Sequence, residues 1–433
     1  MDRKKKKLFL NLTIGNWKNL ILCALVVFNF LLFAGVSSKY GVIRGDYLAF
    51  WGVGKIADEQ GYSQIYDLDH LENVQFRELE RMGVISKTGD SPVTANPVPY
   101  LSFFVIPFQF LSRVGLVQSY WMWTVFNHIV LVGYLLFLIR RLESTEACDN
   151  HLNLLILMLI SYPVLMNLFT GQVEVFLVVF AGEFIRNAIN KNPIYSGLWL
   201  SGLLLKPQLL ILIIPAILIL RNWKVLIGFI VSSGVILITS FLLSGITGMK
   251  ALFNLLTKYS SGITSSAPEA MINWRMVGLN LNHLTNTSLG WVITGFGMAL
   301  TVLAVCLLIK HKPPFGNPQW IMTILGVLSA TLAMTWHSHF HMAMVIIPFL
   351  IYASIHKQLP DKPVFLWGIV TPIIRFGLLI IALLAFFFTK NNINDYEGVI
   401  IAFSGFLLNL AVLISVIKSR INFRSAKELS YKE

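Results

Sequence analysis

An acid, a lysine and a run of histidines stand where a hydrophobic chain has reason to carry none. Asp46 lies in Gly45-Asp46-Tyr47-Leu48-Ala49-Phe50-Trp51, just beyond the first apolar segment. A carboxylate within hydrogen-bond reach of a hydroxyl can remove its proton as the oxygen attacks an activated carbon. The competing role is a boundary acid that pairs with Arg44 or caps the helix that follows. Lys206 sits between Leu203-Leu204-Leu205 and Gln208-Leu209-Leu210, where an ammonium is costly unless it meets an anion. A phosphate suits that point charge; snorkelling to the interface, or pairing with Glu174 or Glu183, would also satisfy it. In Trp336-His337-Ser338-His339-Phe340-His341, three imidazoles fall within six residues. His337 and His341 share a helical face, whereas His337 and His339 share a face only in extended backbone. Such a cluster can hold a phosphate, relay a proton or ligate a metal, or it can simply be interfacial and partly solvated beside an anchoring Trp.

Weaker signals accompany these. Gln172 and Glu174 follow Gly171 at a tight turn, as donor contacts or as a cap. Arg275, between Asn273-Trp274 and Asn280, has the fork geometry that grips phosphate or sugar. Tyr47, Trp51, Tyr66, Tyr100, Gln172, Glu174, Trp336 and His341 are candidates for substrate contact. Asp67-Leu68-Asp69 has the spacing of a metal-binding pair, but a single instance reads mainly as structural. With no Cys or clear carboxylate to complete a set around the histidines, no metal is expected. No cofactor is expected either, because no Gly-rich phosphate loop is present.

These residues need a scaffold, and composition defines it. The chain has 433 residues, 56% hydrophobic and 13% charged, about half the charge of a soluble domain. Apolar runs of roughly 17–25 residues recur throughout, and in lipid such runs must be helical. The fold class is therefore all-α: a polytopic membrane protein of about 10–13 spanning or re-entrant helices in a single transmembrane domain. The net charge of +13 does not point to nucleic acid, because the basic residues gather at the termini and in short turns, as the positive-inside rule requires. Cys23, Cys148 and Cys306 are odd in number and far apart, so no disulfide framework follows.

Charge bias then sets a topology. With the basic N-terminus cytoplasmic, 20–36 crosses outward as an uncleaved first helix, and 37–97 forms a first external loop carrying Asp46, with short helices expected over 46–59 and 71–82, as the external loops are expected to carry short amphipathic helices. The short apolar run 98–112 and the Lys206-Pro207-divided stretch 195–220 either span or re-enter. The segment 244–288 is expected as a second external loop, and 418–433 as a cytoplasmic basic tail. On this arrangement Asp46, Gln172, Lys206, Arg275 and the histidines all face one side, although charge bias alone placed them there.

In order along the chain, Asp46-Tyr47, Gly61, Tyr66-Asp67, Pro97-x-Pro99-Tyr100, Gly171-Gln172, Lys206-Pro207 and His337-x-His339 form a pattern. It resembles glycosyltransferase family 87, the polyprenyl-phosphate-sugar-dependent, mannosyltransferase-like enzymes of the GT-C membrane fold. The resemblance covers about residues 20–360. It departs at Pro99-Tyr100, where the family's tyrosine-proline order is reversed, and at His341, where relatives often carry an acid. The resemblance implies a GT-C-like fold. It also implies inverting transfer of a sugar, most simply a hexose such as mannose, from a polyprenyl-phosphate carrier to a lipid or glycan acceptor outside the plasma membrane. Asp46 matches the family's catalytic acid position, His337 and His339 its histidine-bearing helix end, and Lys206 its Lys-Pro element. With Lys206, His337, His339 and Arg275 on the donor phosphate, Asp46 would act as general base. The alternative is a transporter or flippase of lipid-linked sugar, since intramembrane charge and broken helices also mark transporters.

Overall fold

A computed structural model describes residues 45–84, 96–142, 151–260, 268–389 and 397–430, together with Ala24 and Val42. The expected first helix, 20–36, lies outside the described residues. Everything described is helix or turn, with no strand among those residues. In chain order the helices are α1 (Tyr47–Glu59), α2 (Leu68–Arg81), α3 (Ile106–Leu111), α4 (Leu116–Leu142), α5 (His151–Leu159), α6 (Tyr162–Thr170), α7 (Glu174–Ile189) and α8 (Pro193–Leu200). They continue as α9 (Leu210–Ile219), α10 (Trp223–Ser260), α11 (Trp274–Thr285), α12 (Leu289–Ile309), α13 (Pro318–Met334), α14 (Ile347–Ile355), α15 (Asp361–Thr389) and α16 (Glu397–Ser430).

Five of these, α4, α10, α12, α15 and α16, are long and apolar enough to cross a membrane. The pair α5 and α6, bent by 51°, makes a sixth candidate if taken as one span. Their outward positions carry bare Ile, Leu, Val and Phe, such as Ile129, Ile230, Leu242, Val292 and Phe296, which is favourable only against lipid tails. Among the shorter helices, α7, α13 and α14 are mostly buried. At the centre stands α13, apolar all round and buried from Trp320 to Ala333, as a helix enclosed on every side must be.

The short helices expected within the first external loop are present. The stretch 37–97 contains α1 and α2, the second capped by Asp67, whose carboxylate accepts from the backbone of Asp69 and His70. Capping accounts for the Asp67-x-Asp69 pair. The 98–112 run is a 3₁₀ turn at Ser102–Val105 followed by α3. Those ten residues, about 15 Å long at helical rise, are too short to cross. The 195–220 stretch breaks at Lys206 (φ −136°, ψ 76°) between two 3₁₀ turns, because Pro207 disfavours helical geometry in the residue before it. The segment 244–288, expected as a loop, is largely helical: α10 runs on to Ser260 past a break at Gly245, and α11 follows. Its composition is mixed, and Asn273 supplies the α11 cap by accepting from Met276 N.

Two ends of the bundle differ in chemistry. At one, basic turns meet: Lys191 donates to Phe315 O and Asn317, and Arg420 to the carbonyls of Leu308 and Gln319. At the other end lie Asp46, the α6–α7 turn and the segment after α13. Close approach of α8 and α10 uses Gly197 and Gly228, where an added Cβ would stand 2.0 and 2.1 Å from the facing carbonyl oxygens. That is the small-residue contact by which helices associate in lipid.

Candidate active site

Asp46 occupies the N-cap position of α1, yet its carboxylate makes no cap bond. Instead Asn96 Nδ2 donates to Oδ1 at 2.9 Å and Gln172 Nε2 donates to Oδ2. The acid is thus turned away from its own helix towards residues far along the chain. Capping, the bland sequence reading, is not what this side chain does.

Gln172 comes from the α6–α7 turn, which exists because Gly171 takes φ 70°. A Cβ there would lie 2.6 Å from Tyr47 Cβ. Gly171→Ala should therefore destabilise the protein by about 1–2 kcal/mol from the left-handed backbone alone, with the steric clash added. A lowered thermal midpoint in detergent would register it, and an unchanged midpoint would refute it. Two residues further on, Glu174 is fully buried at the start of α7. Its Oε1 lies 3.2 Å from Lys206 Nζ and 2.9 Å from His341 Nδ1. Lys206 also stands 5.0 Å above the Tyr100 ring, a cation–π contact that desolvation strengthens. The buried ammonium therefore has a carboxylate and an aromatic face. Glu183, the other candidate partner, is held by Arg186.

The histidines follow α13, where the chain leaves the helix at Thr335 (ψ 139°) and is extended at His339 (ψ 162°). In extended backbone alternate side chains share a face. The rings of His337 and His339 accordingly lie 4.6 Å apart, and those of His339 and His341 5.6 Å apart. His341, for its part, lies at the start of the 3₁₀ turn Phe340–Ile346, so the three rings do not share an α-helical face. Ile272 N donates to Ser338 O and Asn273 Nδ2 to Thr335 O, fixing this segment against the start of α11. Burial, the largest cause, pushes the imidazoles of His337 and His339 down, favouring neutral rings that each donate one N–H. Arg275 lies over the Trp336 ring at 4.0 Å, and Trp336 runs parallel to Trp291.

Charge links these groups. Asp46 is within electrostatic reach of Lys206, Tyr100 and His339, and His337 is within reach of Lys206 and Arg275. The fold thus brings Asp46, Tyr100, Gln172, Glu174, Lys206, Arg275, Trp336 and the three histidines to one end of the bundle. Tyr47, Trp51 and Tyr66 are not part of it. Tyr47 is bonded to Ser119, Trp51 donates to Val114 O, and Tyr66 donates to Tyr100 O; all three are buried in the framework. Sequence reading passed over Asn96 and Gln75, whose side chain pairs with both backbone groups of Asn96. The available signal was Pro97, which holds the residue before it extended.

An all-helical polytopic membrane protein with a carboxylate at one lip and an ammonium–carboxylate–imidazole cluster beside it fits a catalyst working at the membrane surface. The family model of glycosyltransferase family 87 matches residues 97–335, more than half of the chain, and the protein belongs to that family. It is a membrane glycosyltransferase. The matched stretch includes Tyr100, Gln172, Glu174, Lys206 and Arg275, whereas Asp46, Asn96 and the histidines flank it. No curated protein and no solved structure matches the chain.

Proposed function

We propose that the protein transfers a hexose, such as mannose, from a polyprenyl-phosphate carrier to a lipid or glycan acceptor on the extracytoplasmic face of the cell membrane, with inversion. The observation that carries this is the convergence of Asp46 with the Lys206–Glu174–His341 cluster at the end of the bundle opposite the basic turns. The positive-inside rule assigns those turns, and with them both termini, to the cytoplasm, which leaves the acid and its neighbours outside.

In this mechanism the acceptor O–H gives its proton to Asp46 as its oxygen attacks the anomeric carbon from the side opposite the phosphate. The bond from that carbon to the phosphate oxygen breaks, and the phosphate leaves with the bonding electrons. Lys206 faces the negative charge that grows there, while His337, His339 and Arg275 supply further donors, so stabilisation is concentrated on the transition state. Trp336 and Tyr100 line the approach. No nucleotide, cofactor or resident metal enters the scheme; the lipid-linked sugar is a substrate.

Transport of the intact carrier is the competing function. In proteoliposomes with polyprenyl-phosphate sugar labelled in the sugar, label should pass covalently to an added glycan or glycolipid acceptor. Movement of intact carrier between leaflets without any transfer would replace this reading with the flippase.

A further inference from the structure

An acid acting as base needs an aim, and the residues around Asp46 supply it. Each carboxylate oxygen takes one carboxamide N–H, Oδ1 from Asn96 and Oδ2 from Gln172. The amides must present nitrogen, because an amide oxygen against a carboxylate would set two acceptors together. Both amides are themselves fixed. Gln172 is buried, with Oε1 left without a partner among the described residues. Its carbonyl receives Trp123 Nε1 and Asn127 Nδ2, and its N–H donates to Asn167 O. Asn96 is held through its backbone, donating N–H to Gln75 Oε1 and accepting from Gln75 Nε2, each at 3.4 Å. The Gln75 side chain is itself buried on α2.

From this we infer that Gln172 and Asn96 are positioning residues for the transfer, clamping both oxygens of Asp46 so that the carboxylate faces the acceptor hydroxyl, with Gln75 fixing Asn96. This assigns Gln172 a part in aiming the base in place of a contact with the donor. It rests on Asp46 being the base. The same turn carries Glu174, so one short segment holds the base on one side and the Lys206–His341 pair on the other.

The test compares wild type, Gln172→Leu and Asn96→Ala in proteoliposomes, following kcat and donor KM, with each substitution repeated in an Asp46→Asn background. Misaiming a catalytic group costs up to about 100-fold, so each should lower kcat roughly 10- to 100-fold with donor KM within about twofold. In the Asp46→Asn background neither should lower kcat further, because no base is left to aim. Asn96 is exposed, so its variant should fold even if Gln172→Leu does not. Unchanged kcat in the folded variants would overturn the clamp, and so would an equal further loss in the Asp46→Asn background. If Asp46→Asn is fully active, the base reading itself falls; if Asp46→Asn is dead while the folded clamp variants turn over normally, only the clamp does.

Discussion

Asp46→Asn should turn over sugar about 10²–10⁴-fold more slowly than wild type, the range that a general base contributes. Donor binding should stay within about twofold, since no contact in the proposed scheme joins Asp46 to the carrier phosphate. The substitution is close to isosteric and keeps an oxygen for one of the two amide donors, Asn96 or Gln172, so the fold should persist. Single-turnover transfer and equilibrium binding of the carrier lipid, measured on the same preparation, separate the two quantities. Normal turnover would remove the base. Equal losses in binding and turnover would recast Asp46 as a substrate ligand.

The second large effect is on stability. Glu174 is buried with its carboxylate against Lys206 and His341, both nearly enclosed. Glu174→Leu would strand the ammonium, and removing one partner of a buried pair costs about 3–5 kcal/mol. The thermal midpoint in detergent should drop sharply. Replacing both partners, as in Glu174→Leu with Lys206→Met, should restore most of the stability, because an apolar pair of similar volume avoids desolvating two charges. Transfer should stay lost in the double variant, since the cation facing the phosphate is gone. A double variant less stable than Glu174→Leu, or a single variant with an unchanged midpoint, would contradict this account.

Which acid meets which base is decided by packing, and neighbouring residues in sequence do not say. Glu174 and Glu183 lie on the same helix, α7, and both were fair partners for Lys206. Packing sends Glu183 to Arg186 and Tyr134, and Glu174 to Lys206. The histidines show the same dependence on backbone. A helical reading joins His337 to His341, whereas the non-helical chain from Thr335 to His339 and the 3₁₀ turn after it bring all three rings together. Tyr47, Trp51 and Tyr66 were candidates for substrate contact because an aromatic ring beside an acid looks the same whether it packs or binds. Burial decided that they pack.

By itself the sequence determined the solvent and the helical state of the long apolar runs. Long apolar runs in lipid have to close their own hydrogen bonds and so have to be helices, Pro207 has to break the segment it enters, and Lys206 has to find an anion. These follow from local rules, because hydrophobicity, backbone restriction and the cost of burying charge act on a residue and its immediate neighbours. Tertiary structure alone decided that Glu174 is the anion, that Asn96 and Gln172 hold Asp46, and that the segment 244–288 is mostly helix. Those contacts join residues 50 and 126 positions apart in the case of Asp46. They depend on how helices pack against one another, and no periodicity along the chain records that.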